Sequence, residues 1–380
     1  MPTATTSNIR GWSGYTAALF FVSLSALAVK LMHLSDAAAA LAELPFQDVV
    51  HSLTFPNKHR LREHYTGIEP LDVGLRFLVA AFLPGAAGWD LGCQIQQIYF
   101  IVSCLALVAI WAVEAGRVGN SRAVTSFTSV WPLLYQTIGG AIIIPLYYLF
   151  YIRESSQLDY WSPISQRIPT SYAKALLPSL IIGYILPTFF MYLPFPDPGL
   201  NITQGTIALW QVSPIIVNVL LFFISTTMGK EPATPKATAS QSPGTLKYLD
   251  LIYITCFAIT ASTHIAVVTI CLLSSSPQMS LKHALWRVPL GNEIAMSEAL
   301  HYIFQVDFQI IFTAMVAGSF LTLWDLKRVG RMDISLASAA TMMTMGVLCV
   351  GPAATAIAVS YVREGMLAVK NKRRPSSVAG

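Results

Sequence analysis

Eight stretches of this chain, each at least 17 residues long, contain no Lys, Arg, Asp or Glu. An uncharged run of that length is what crossing the roughly 30 Å hydrocarbon core of a bilayer requires. The stretches run from Gly11 to Val29, Leu91 to Val113, Ala123 to Ile152, Ala175 to Pro196, Pro198 to Gly229, Leu251 to Leu281, Phe308 to Trp324 and Ile334 to Val362. In lipid a chain segment must satisfy its own backbone, and these runs are too uniformly apolar for the alternation of barrel strands. The expected fold is therefore all-α, a polytopic transmembrane helical bundle of about eight spans. A further apolar segment, Phe77 to Trp89, has only 13 residues between Arg76 and Asp90, and reads as a short re-entrant or half-buried helix.

Charged residues make up 11% of the chain, against about 25% in a soluble domain, so lipid must cover what polar side chains cannot. The first stretch exceeds the roughly 7 to 15 residues of a signal-peptide core, and Lys30 follows without a small-residue cleavage pattern. It reads as a retained span. Cys93, Cys104, Cys256, Cys271 and Cys349 form no CxxC pair and no metal spacing, so they predict neither disulfides nor a zinc site. The net charge of +5 comes mostly from basic residues in loops between spans. That pattern predicts a lipid bilayer as partner and no nucleic acid.

On the eight-span count, the loops at 30–90, 153–174, 230–250 and 325–333 hold 14 Lys and Arg, and the opposite side holds 5 up to the last span. The positive-inside rule then makes the first set cytosolic. The sequon Asn201-Ile202-Thr203 falls on the luminal side, in agreement, but so does the basic tail of Arg363, Lys370, Lys372, Arg373 and Arg374, which disagrees. Residues 1–380 read as one integral membrane domain. Residues 230–247 (KEPATPKATASQSPGTLK) read as a flexible cytosolic connector, and 370–380 as a disordered basic tail.

The densest polar cluster is NKHRLREHYTGIEPLD, residues 57–72. Pro70 suits the first turn of a helix, which makes Glu69 its cap and places Asp72 in that turn, both favoured by the helix dipole. The functional alternative is a carboxyl at the mouth of an apolar cavity, kept protonated by desolvation and able to act as a general acid. Asp90 approaches the same place if Phe77 to Trp89 folds back. Glu114 in WAVEAGR is either a second such acid or the partner of Arg117 in an interfacial ion pair. The eight-span count sets Glu114 opposite Glu69 and on the same side as Glu293, Glu298, His301 and Asp307. The Glu298-x-x-His301 spacing lacks a partner copy, so no metal is expected. Gln136 and Gln211 lie inside apolar stretches with Trp131, Tyr135 and Trp210, while Tyr65 and Trp89 flank the acids. These side chains either glue helices together or line a chamber whose aromatic faces attract a cation. Phosphate-loop, GxSxG, HExxH, haem-type and DDxxD signatures are absent from the sequence.

Taken together, HSLTFPN (51–57), REHYTGIEPLD (62–72), FLPGAAGWD (82–90) and WAVEAGR (111–117) resemble the membrane-bound terpene cyclases of fungal meroterpenoid clusters, of the AscI type. They are also similar to the PaxA and LtmS type of membrane protein from indole-diterpene clusters. The resemblance implies cyclisation of a prenylated, usually epoxidised, aromatic or indole small molecule, without cofactor or metal. It also implies the endoplasmic reticulum and a secondary-metabolite pathway whose other enzymes are potential partners. Residue roles come from the reasoning above: Glu69 or Asp72 as the acid, then Asp90 and Glu114. A transporter and a noncatalytic scaffold of the same pathway are the alternatives.

Overall fold

The computed structural model describes residues 8–42, 45–229, 241–286 and 296–368. These form α1 (Trp12–His33), α2 (Asp36–Ala42), α3 (Pro45–Ser52), α4 (Glu69–Ala86), α5 (Leu91–Ala115), α6 (Val130–Ile138), α7 (Gly140–Ser155) and α8 (Thr170–Leu180). A π-helical turn, Ile181–Ile185, joins α8 to α9 (Leu186–Met191). There follow α10 (Asn201–Gln211), α11 (Ser213–Thr227), α12 (Pro243–Leu273), α13 (Leu281–Trp286), α14 (Met296–Arg328), α15 (Leu336–Cys349) and α16 (Pro352–Ala368). No strand forms among the described residues, in line with the all-α expectation.

Two polar layers mark the ends of the bundle. At one end Arg10, just before α1, meets Asp325 near the end of α14 and the Ile152 carbonyl near the end of α7. There too Glu114 of α5 meets Arg363 of α16, and Thr170 meets Thr245 at the starts of α8 and α12. We call this the Arg117 end. At the other, the Asp90 end, α5 begins beside α13, Arg62 bonds to Gln204 of α10 through its backbone N–H, and Trp89 stacks on His59.

The eight expected spans become five helices long and apolar enough to cross a membrane: α1, α5, the α8–α9 unit, α12 and α14. A sixth arises if α10 and α11, bent by 62°, count as one. The stretches Ala123 to Ile152 and Ile334 to Val362 account for the difference, because each folds back on itself. In the first, Thr125 donates from its N–H and hydroxyl to Glu154, so the chain leaves where it entered. Its tip is Gly139, at φ 116°, a conformation open to glycine and strained for other residues. In the second, α15 has 14 residues, about 21 Å at 1.5 Å per residue, too short to cross. Its tip is Gly351 at φ 91°, where an added Cβ would stand 2.8 Å from the His264 ring, and α16 returns to Glu114.

This changes the sidedness. The ends of α5, α7 and α16 share the Arg117 end with Arg10, just before α1, whereas Glu298, His301 and Asp307 lie toward the Asp90 end, away from Glu114. Of the described Lys and Arg residues, eleven lie at the Arg117 end and six, Lys30, Lys58, Arg60, Arg62, Arg76 and Lys282, toward the other. The connector also shortens: Ser242 caps α12 by accepting from the Thr245 N–H at 3.1 Å and Pro243 takes the first helical position, so 243–247 are helix. Residues 230–240, the tail 370–380 and Glu293 lie outside the described residues.

For this arrangement in a bilayer, the positive-inside rule predicts a cytosolic Arg117 end. Glycosylation tags placed near Asn57 should be modified in microsomes, and tags at either terminus should not. Eight crossings give the reverse pattern.

Candidate functional site

The four carboxyls singled out in the sequence occupy four different settings. Glu69 is exposed and pairs with Arg76; Ile68, not Glu69, takes the cap position of α4, with Asp72 in its first turn. Asp72 is fully buried, yet it accepts from the N–H groups of Tyr65 (3.0 Å), Thr66 (2.7 Å) and Gly67 (3.0 Å) and from the Thr66 hydroxyl (2.9 Å). Burial pushes its carboxyl up, but these bonds outweigh burial and hold it down at about 2, so Asp72 is an ionised clasp for the loop before α4. Asp90 caps α5, accepting from the Cys93 N–H at 2.9 Å. Glu114 sits in an ionic network: it pairs with Arg117 at 2.9 Å and with Arg363, and accepts from the Tyr160 hydroxyl at 3.0 Å. Arg117 also pairs with Glu364, so two buried carboxylates balance two buried guanidiniums. The i, i+3 pair with Arg117 was legible in the sequence; Arg363 and Glu364, some 250 residues away, were not.

The structure brings a fifth carboxyl into view. Asp307 lies within α14, half-buried, and accepts a hydrogen bond from the Ala141 N–H in the first turn of α7. Among the described residues no Lys or Arg pairs with it. An N–H at a helix start has no partner within its own helix, so the carboxylate oxygen completes α7 across the bundle. Gly140 permits the approach: a Cβ there would lie 2.5 Å from Ile311 Cδ1 and 3.3 Å from Asp307 Oδ1.

Aromatic and amide side chains are spread through the interior between the two ends of the bundle. Cys104 and Tyr135 lie within electrostatic reach of Asp307, and Tyr184 within reach of Cys104, Tyr135 and Tyr192. Trp111 stacks on Tyr147 at 4.1 Å between ring centroids and lies 6.3 Å from Tyr135. Trp131 packs 5.5 Å from Tyr147 and donates to the Val124 carbonyl, and Trp210 donates to Thr188 and packs 5.5 Å from Phe82. Side-chain nitrogens of Gln97, Gln136 and Gln211 are buried without a hydrogen-bond partner, as is the Gln211 oxygen. Such orphans in an apolar interior call for water or a ligand group. Tyr65 and Trp89 stand apart: Tyr65 bonds to Gln204, and Trp89 packs between Phe55 and His59 in the loop layer.

A cavity of about 310 Å³ lies between α5, α9 and α12, walled by Ile98, Val102, Leu105, Phe189, Ile259 and the rings of Tyr184 and Tyr192. Tyr184 and Ile185 belong to the π-helical turn, an irregularity frequent at functional sites. Gly183 makes the turn possible, since a Cβ there would stand 2.9 Å from the Val217 backbone nitrogen.

Removing one member of a buried, balanced network strands its partners, at about 3 kcal/mol or more. Glu114→Gln should therefore lower the thermal midpoint of the protein in detergent, whereas Glu69→Gln, at an exposed pair, should leave it unchanged.

The profile of the CtvD-domain family matches residues 16–368. The terpene cyclase ascI of Acremonium egyptiacum is 31% identical over 54% of this chain and 53% of its own length. The terpene cyclase ctvD of Aspergillus terreus is 30% identical over 40% of this chain and 43% of its own. A FAD-dependent monooxygenase, atnA of an Arthrinium species, is 21% identical over 74% of this chain and 35% of its own. The chain thus spans about half the length of the first two relatives. No solved structure matches. With nearly all of its length inside the family profile, the chain belongs to the CtvD-domain family.

Proposed function

We propose that this protein is a membrane-embedded terpene cyclase whose general acid is Asp307. The observation that carries the reading is a carboxyl within the bundle that has one backbone N–H partner, no described cationic partner, and the Tyr135 ring within electrostatic reach. A half-buried carboxyl with no described counter-cation can carry and deliver a proton, and a protonated carboxyl is what opening an epoxide requires. None of the other four carboxyls combines these conditions: Glu69 is exposed, Asp72 and Asp90 accept backbone N–H groups at turns, and Glu114 is neutralised by arginines.

The substrate class is a prenylated aromatic or indole compound whose terminal alkene has been epoxidised. Names of relatives support the reaction type, and the match to part of a flavin monooxygenase fits an oxygen-inserting enzyme that supplies the epoxide. Asp307 gives its proton to the oxirane oxygen as a C–O bond breaks, leaving a hydroxyl and a carbocation. Alkenes or an oxygen nucleophile attack in turn, and the proton lost at the last step returns to the carboxylate or to water. Trp111, Tyr135 and Tyr147 offer π faces to the passing cation, and the ionised Asp307 offsets its charge. The apolar cavity of about 310 Å³ falls at the lower end of the range for ligand pockets, about 300 to 1,000 Å³, and suits part of a prenyl chain drawn from the membrane. We place the protein in the endoplasmic reticulum, as its resemblance implies, alongside the other enzymes of one secondary-metabolite pathway.

Asp307→Asn keeps the acceptor for Ala141 and removes the acid. In microsomes given epoxide substrate it should slow cyclisation by about 10² to 10⁴-fold, the usual share of general acid catalysis, with the protein level unchanged. Cyclisation within about tenfold of the wild type would reject the assignment, and loss in Glu69→Gln alone would move it there.

A further inference from the structure

We infer that the Asp90 end holds one divalent transition-metal ion, bound by Asp90, His283 and His301. A carboxylate oxygen of Asp90 and one ring nitrogen from each histidine lie within 4.8 Å of one another. Two imidazoles and one carboxylate suit zinc and its first-row neighbours, with coordination positions left for water, whereas calcium and magnesium prefer all-oxygen sets.

Each ligand is delivered by regular structure. Asp90 is fixed by capping α5, and a carboxylate with about four lone-pair positions can cap a helix and bind a cation together. The α5 dipole opposes a cation at its start, and the charge of Asp90 offsets that opposition. His283, on α13, lies across the first turn of α5 because residue 92 is glycine: a Cβ there would stand 2.6 Å from the ring Cδ2 and 2.8 Å from Nε2. His301, on α14, is 1% exposed, and the two imidazole centroids are 5.2 Å apart. Gln305, one turn further along α14, donates to the carbonyls of His283 (2.7 Å) and Ala284 (3.0 Å) and lies 3.1 Å from His301 Nε2. One side chain thus holds α13 against α14 around the cluster, the outer-shell support that metal sites use.

The ion ties α5, α13 and α14 together about 9 Å along α14 from Asp307, six residues at 1.5 Å each. It acts as a clamp and takes no part in the proton transfer proposed above. Glu298-x-x-His301 is not the motif that reports it, because the ligands come from positions 90, 283 and 301.

The test uses the full-length protein in detergent, stripped with chelator and titrated with Co²⁺ by visible absorption and with Zn²⁺ by calorimetry. One ion per chain and a raised thermal midpoint are expected. Both should be lost in His283→Gln and His301→Gln. Asp90→Asn preserves the helix cap and so guards against misfolding, and it should weaken binding by about tenfold or more, the loss that even outer-shell changes cause. Asp307→Asn should bind metal as the wild type does, which separates this site from the acid. A wild type that takes up no ion, or uptake unchanged in both histidine variants, overturns the site.

Discussion

The hydrogen bond from the Ala141 N–H to Asp307 joins two problems that an apolar interior makes severe, an unpaired helix start and an unpaired carboxyl. Each removes part of the penalty of the other. Its geometry depends on glycine twice, at Gly139 to turn the hairpin and at Gly140 to let α14 come close. It also fixes where the acid stands relative to Tyr135 and Cys104, so the proposed chemistry depends on how the hairpin tip is built.

The two ends of the bundle treat charge in opposite ways. Toward the Arg117 end the buried arginines among the described residues have anionic partners: Arg10 shares Asp325 with the half-buried Arg328, while Arg117 pairs with Glu114 and Glu364 and Arg363 with Glu114. Buried pairs of this kind add little net stability over a well-packed apolar core, but they fix which helix ends meet. Asp307 lies outside that system, with a dipole in place of a counter-ion. A carboxyl without a cation is costly as scaffolding and useful as an acid, which is why the difference between it and Glu114 carries the functional reading.

Much of the architecture was legible because length and the absence of charge decide whether a helix can cross lipid, and α1, α5 and α12 follow from that rule alone. The same rule misread two stretches. It sees apolar length and not a turn, so Gly139 and Gly351 passed as span interior. It also started one stretch at Phe308, because Asp307 is charged, whereas α14 runs unbroken from Met296 to Arg328. A window that excludes charge cuts the helix at the one carboxyl within it that bonds across to α7. Trp131, Tyr135, Gln136, Trp210 and Gln211 could be picked out as polar or aromatic groups within apolar helices. The approach of Tyr135 and Cys104 to within electrostatic reach of Asp307, and the meeting of Asp90 with two distant histidines, are tertiary and have no sequence spacing to announce them.

The proposed chemistry needs Asp307 to carry a proton at neutral pH while it remains bonded to the tip of the hairpin. Infrared spectroscopy of the protein in lipid, comparing wild type with Asp307→Asn, measures this through the carbonyl stretch of a protonated carboxylic acid. We expect that band in the wild type at neutral pH, its loss in the variant, and its shift when an epoxide analogue binds. A wild-type spectrum showing only ionised carboxylate, unchanged by the substitution in the protonated-acid region, would contradict the account.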